Sequence, residues 1–214
     1  MNSVRELNTD QQHVGDTDPQ QSTTTIIIII IIIIIMFSWT SLLFVLCSSL
    51  TPVLCCDWLT QYTHLSNTSL NHIRRMGGQL TYQQSPVPFP DKLYRRIWMA
   101  KVESQLVFVR DSLELISDLY QHDNLSSATW DTIETEHFLT VIDRQIDGLN
   151  TCVSTNSSAD SRLRKYYRRL ETCTVYRTGG STVSWELIRK ETKLHLERLH
   201  MLVASIRRRS QQQL

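Results

Sequence analysis

Residues 98–120 read WMAKVESQLVFVRDSLELISDLY, and along them Trp98, Val102, Leu106, Val109, Leu113, Ile116 and Tyr120 recur in steps of four or three. Such steps return to one side of a 3.6-residue turn, so the stretch predicts an amphipathic helix with one buried stripe. The helix is expected to begin near Asp91 and to stop near Asp123 and Asn124. Pro86, Pro88 and Pro90 precede it. They remove backbone donors and bias their neighbours to extended conformations, which makes 79–92 a loop.

The same period appears on both sides of this segment. Trp58, Tyr62, Leu65, Ser69 or Leu70, and Ile73 predict a first helix over 57–75, stopped by Gly77-Gly78. After the second helix, Ser126 or Ser127 is expected to cap a third, whose apolar set is Trp130, Ile133, Phe138, Val141, Ile142 and Leu149 and which ends by Asn150. Small polar residues over 150–161 read as a loop. Asp160 or Ser161 caps a fourth helix with Leu163, Tyr166, Leu170 and Cys173 on one face, closed by Thr178-Gly179-Gly180. The last helix, from about Val183 to Arg208, buries Trp185, Ile188, Thr192, His195, Leu199, Leu202 and Ile206. Only 6 Gly and 5 Pro occur in 214 residues, too few for the turns of a sandwich or a doubly wound sheet. With 41% hydrophobic and 20% charged residues, the chain can bury a core. The expected fold class is all-α, a five-helix bundle.

Ahead of the bundle, residues 1–25 are polar and without hydrophobic period, and Ile26 to Ile35 is a run of ten isoleucines that a packed surface has no reason to select. Residues 1–35 therefore read as a disordered extension, outside the product when translation starts at Met36. Residues 36–55, MFSWTSLLFVLCSSLTPVLC, resemble a secretory signal peptide, with Val53 and Cys55 suited to a cleavage site and Cys56 as the first mature residue. The competing reading takes 26–56 as 31 uncharged residues, more than the ~20 that span a bilayer, and makes them a signal anchor. Pro52 and the serines favour cleavage, with secretion and no stable membrane insertion. The long form carries the hypothesis of intracellular retention. Residues 1–55 hold Arg5 against Glu6, Asp10, Asp16 and Asp18, so the net charge of +1 divides into −3 there and +4 over 56–214. That excess falls short of a nucleic-acid binder.

Cleavage leaves Cys56, Cys152 and Cys173, and an odd thiol. The first interhelix loop has about fourteen residues and at ~3.3 Å each reaches ~46 Å, beyond the ~28 Å of a nineteen-residue helix. The second helix can then run parallel to the first, the third returns antiparallel, and Cys152 meets Cys56. In an up-down-up bundle the two would lie at opposite ends, too far for a disulfide. The pairing thus goes with an overhand connection between the first and second helices. Cys173 is expected as a buried free thiol. In an uncleaved cytosolic form all three would be reduced.

No catalytic motif is present. His195, Glu197 and His200 suggest a zinc helix, but histidines five apart point about 140° away from each other and cannot share an ion as an i, i+4 pair does. No cofactor or metal is expected, and these histidines read as core and surface. Asn67, Asn124 and Asn156 open the sequons NTS, NLS and NSS; Asn67 lies within the first helix and the others in loops. Arg207 to Arg209 read as a solvated tail. Arg162, Arg164, Lys165, Arg168 and Arg169 form a basic flank of the fourth helix, serving solubility or a partner.

CDWL at 56–59, MGG after the first helix, FPDKLYRRI at the second, RKYYRRL in the fourth and SWELIRKE in the last occur in this order. Together they resemble a type I interferon of bony fish across 56–208. Tyr166-Tyr167-x-Arg169-Leu170 and Trp185-Glu186 are the most specific pieces. Where the family carries Cys before Ala-Trp, this chain has Val183, which places it with the two-cysteine fish group, whose retained bridge matches Cys56 to Cys152. The resemblance implies a helical cytokine domain over 56–214, acting as a secreted monomer with two class II cytokine receptor chains and inducing an antiviral state through receptor-associated kinases. It also implies a receptor face formed by the first interhelix loop, the fourth helix (Arg162, Lys165, Arg169) and the last. Arg189 sits where the family carries a receptor-contacting arginine. Lys193 shares its side, and both are expected to be exposed, opposite the stripe led by Trp185 and Ile188.

Overall fold

The computed structural model describes residues 29–36, 38, 56–121, 123–153 and 160–211. The chain divides into two units, 1–49 and 50–214. In the first, residues 29–36 form a helix whose isoleucines are about half exposed. The signal-peptide reading falls almost wholly outside the described residues. The second unit holds α1 (Asp57–Arg75), α2 (Asp91–Trp98), α3 (Val102–Tyr120), α4 (Thr132–Cys152), α5 (Ser161–Thr174) and α6 (Thr182–Gln211), with short 3₁₀ turns at Asp123–Ala128 and Tyr176–Thr178. No strand occurs among the described residues.

Five expected helices become six because the second is broken after Trp98. Gln105, fully buried in α3, donates from Nε2 to the carbonyls of Ile97 (3.0 Å) and Trp98 (2.8 Å). Its Oε1 accepts from Arg209 Nη2 at 2.6 Å. A side chain thus takes the last α2 carbonyls that a continuous ladder would have used. Trp98 consequently leaves the stripe and is 39% exposed, whereas Leu106, Val109, Leu113, Ile116 and Tyr120 are buried as their spacing requires.

Other boundaries shift for equally local reasons. Asp131, not Ser126 or Ser127, caps α4: its carboxylate accepts from the Glu134 amide at 2.8 Å. Ile133, in the first turn, faces solvent. The helix runs two residues past Asn150, to Cys152. Asp160 caps α5, accepting from the Arg162 amide at 2.8 Å. After α5, Gly179 adopts φ 66°, a left-handed turn that costs glycine nothing. Arg207 to Arg209 are not a tail, since α6 continues to Gln211 and ties Arg207 to Thr63 and Arg209 to Gln105.

Contacts at the helix ends fix the directions. Cys56, preceding α1, is bonded to Cys152 at the end of α4, with Cα atoms 5.2 Å apart. At the other end, His72 and Arg75 of α1 reach Glu134 of α4 at 2.7 and 2.8 Å. Between them, buried Gln145 donates to buried Ser69 at 2.9 Å. These two helices are therefore antiparallel. The Tyr120 ring, at the end of α3, lies 5.2 Å from that of Phe138 in the first half of α4, so α3 is antiparallel to α4 and parallel to α1. Ser66 and Arg74 of α1 meet His200 and Glu197 of α6, which runs down between α1, α3 and α5. This is the overhand topology, and the long first loop makes it feasible.

Candidate functional site

The overhand loop crosses the outer side of α6 and is held there at several points. Arg189 Nη2 donates to the Gly78 carbonyl at 2.5 Å, and Lys190 Nζ to the Gln83 carbonyl at 2.6 Å. Further along, the Phe89 ring stacks on Tyr94 (5.3 Å, 15°) and lies under the Arg198 guanidinium at 5.8 Å. Val87 and Pro88 then form one wall of a shallow groove of about 160 Å³, whose other wall is Arg162, Lys165, Tyr166 and Arg169 of α5. Steps of three and four bring the three cations to one helix edge. All three are exposed, and among the described residues none is ion-paired. Loop and α5 thus present one continuous surface, whose cations all lie on α5.

Arg189 does not join that surface, contrary to the sequence expectation. It is completely buried. A residue four positions after Trp185 lies only about 40° around a helix, so it borders the buried stripe instead of opposing it, and the overhand loop covers what remains. Its Nη2 lies 2.9 Å from Glu186 Oε2, and Glu186 Oε1 accepts from Trp130 Nε1 at 2.7 Å. The guanidinium packs so closely under the loop that a Cβ on Gly77 would stand 2.5 Å from Nη1 and 2.9 Å from Trp130. Any side chain at 77 would force Arg189 or Trp130 to shift. Arg189 thereby joins α6, the start of the overhand loop and the entry to α4. Lys193 is half-buried, bonded to Glu197 at 2.6 Å on the side of α6 toward Arg74 of α1.

Beneath the loop, His195 is fully buried among Phe89, Tyr94, Tyr166 and Tyr167, with ring centroids 4.6 to 5.7 Å away. The Tyr94 hydroxyl lies 2.7 Å from its Nδ1. Burial lowers its pKa to about 3, so the imidazole is neutral in the folded chain. The unfolded chain protonates it near the ordinary ~6.5. Stability owed to His195 is therefore complete above ~6.5 and drains as pH falls toward about 3, at ~1.4 kcal/mol per pH unit. Glu191 and Asp111, whose carboxyls burial pushes up, work in the opposite direction. Urea unfolding at pH 7 and pH 5 should show the native chain losing ~2 kcal/mol more than His195→Gln; parallel losses would show that His195 does not titrate on unfolding.

The remaining candidates separate. Cys56 and Cys152 form the disulfide, and Cys173 is a free thiol, half-buried instead of fully enclosed. Asn67 is exposed on α1, although Ser69 of its sequon is buried against Gln145. The Asn124 side chain and Asn156 lie outside the described residues. Val183, at the family's cysteine position, is half exposed. Among the described residues no cluster of His, Cys, Asp or Glu could hold a metal ion, and no helix is long and apolar enough to cross a membrane.

Known proteins share this architecture. The family model "Interferon: Interferon alpha/beta domain" matches residues 60–206. Interferon a3 of Oncorhynchus mykiss is 38% identical over 172 residues, covering 80% of this chain and 98% of that protein. The solved structure of zebrafish interferon 1 superposes with a TM-score of 0.63 at 30% identity, covering 70% of this chain and 98% of its own. With most of the helical unit matched in sequence and in fold, the chain belongs to the interferon alpha/beta family, whose members are helical cytokines.

Proposed function

We propose that this chain is a secreted type I interferon, released by cleavage before Cys56, that engages two class II cytokine receptor chains as a monomer and induces an antiviral state through receptor-associated kinases. The family match over residues 60–206 carries the reading. The Cys56–Cys152 bridge supports it, because such bonds persist in oxidising compartments. One receptor chain is assigned to the basic α5 edge with the overhand loop and the Lys193 side of α6. Arg189 acts from beneath that surface. Asn67, Asn124 and Asn156 are the expected glycan acceptors.

The test expresses the full chain in fish cells, sequences the N-terminus of the released product and applies the medium to fresh cells. A start at Cys56 with induction of antiviral transcripts is expected. Product retained in the cells, or medium without induction, rejects the reading. A parallel expression starting at Met36 should release more product, because the isoleucine run lengthens the apolar segment beyond an ordinary signal. Replacing Arg162, Lys165 and Arg169 by glutamate should weaken binding to one receptor chain at least tenfold without lowering Tm, as exposed charges govern association more than stability. Native affinity for both chains would remove that edge from the receptor surface.

A further inference from the structure

The charge pattern of α5 opposes what helix stability favours. From 162 to 169 every exposed position is cationic: Arg162, Arg164, Lys165, Arg168 and Arg169. No acidic residue occupies the first turn, where the positive end of the helix dipole favours carboxylates and disfavours cations. Like charges also sit at i, i+3 and i, i+4 along the same helix, a repulsive spacing. The Asp160 carboxylate that caps α5 is one negative charge against five cations, so an external anion is a natural source of further compensation.

The two edges of α5 differ. Arg164 and Arg168 line a groove that also holds Asp118 and Glu171. On the other edge, the groove of Arg162, Lys165 and Arg169 against Val87 and Pro88 contains no carboxylate. Asp160, which caps the helix, is paired with Arg96 at 3.3 Å, and buried Glu191 accepts from the Tyr166 hydroxyl at 3.3 Å. Three uncompensated cations therefore stand in line over seven residues, about 10 Å at ~1.5 Å per residue. A compact anion reaches two of them at most, whereas an extended polyanion lying along the helix meets all three.

We infer that the Arg162–Lys165–Arg169 edge of α5 binds a linear sulfated polysaccharide of the cell surface. The inference rests on the secretion reading alone, since a released chain meets such polymers before it meets a receptor. Binding should be governed by release of counterions from the polymer, and should weaken steeply with salt.

Immobilised heparin is the probe, applied to the purified secreted product of the full chain with no cells or receptor present. The native product should be retained at physiological ionic strength. Serine at 162, 165 and 169 should weaken retention at least tenfold and lower the slope of log K against log salt by two to three, near the ~0.9 per charge known for duplex DNA. Serine at Arg75, Arg144 and Arg208, exposed on α1, α4 and α6, removes the same net charge and should leave retention within twofold. Circular dichroism verifies that both variants are folded. Native product flowing through, equal loss in the two variants, or equal binding to desulfated heparin would overturn the inference. Displacement by single-stranded DNA as effective as by heparin would overturn it in favour of nucleic acid. Because no receptor enters the assay, a product without antiviral activity can still bind, and the two proposals fail separately.

Discussion

Replacing Cys56 and Cys152 together by serine is expected to remove about 4 kcal/mol of stability, a large part of the 5–15 kcal/mol typical of a domain. The bridge joins residues 96 apart, and closing so long a loop removes much of the freedom of the unfolded chain. In the folded chain it joins the start of α1 to the end of α4, while His72 and Arg75 on Glu134, and the Asp131 amide on the Met76 carbonyl at 2.6 Å, hold the opposite ends. Those contacts survive the substitution but act over short reach. The two helices should then fray from the Cys56 end first, exposing Trp58, now 3% exposed. Urea titration with far-UV dichroism and Trp fluorescence reads both effects. Both cysteines must be changed, since a single substitution leaves a thiol free to pair with Cys173. A double variant within 1 kcal/mol of the native chain would show that packing along α1 and α4 alone closes the fold. Cys173→Ser should change stability by less than about 1 kcal/mol, because the half-buried thiol closes no loop.

The bundle was legible because apolar period and loop length act over distances that sequence records directly. Leu106, Val109, Leu113 and Ile116 are buried where their spacing puts them, and the loop of 79–92 is long enough for the parallel run of α1 and α3 that the disulfide requires. What escaped was polar. Gln105 lies three residues after Val102 and four before Val109, on the apolar face, and that misplaced amide was the available sign of the break at Trp98. Asp131 escaped as a cap because Ser126 and Ser127 offered equivalent chemistry earlier in the chain. For the candidate surface, spacing puts Arg162, Lys165 and Arg169 on one edge of α5, while their role as a receptor face came from the family resemblance. Its second wall, Val87 and Pro88, was not legible, because no period encodes the path of an overhand loop.

That path decides the fate of Arg189. Arg189→Glu is expected to cost about 3 kcal/mol or more, the scale for breaking a buried ion pair by removing one partner. The new carboxylate would face Glu186, now 2.9 Å from the guanidinium, and would lose the donor that holds the Gly78 carbonyl. Arg189→Met should cost less than the glutamate: it brings no second carboxylate against Glu186, whose Oε1 keeps its bond from Trp130 Nε1. Lys193→Glu, in contrast, exchanges a partly exposed pair with Glu197 and should change stability by about 1 kcal/mol at most. Gly77→Ala approaches the same site from the loop. Its Cβ meets Nη1 at 2.5 Å, and overpacking of this kind costs roughly 1–3 kcal/mol. Residues in contact are not additive, so Gly77→Ala should cost clearly less in the Arg189→Met background, where a flexible thioether can yield. Urea midpoints of the native chain, the two single variants and the double variant measure that coupling. An additive pair would mean the loop does not rest on the guanidinium, and native stability for Arg189→Glu would mean that the side chain stands in solvent after all.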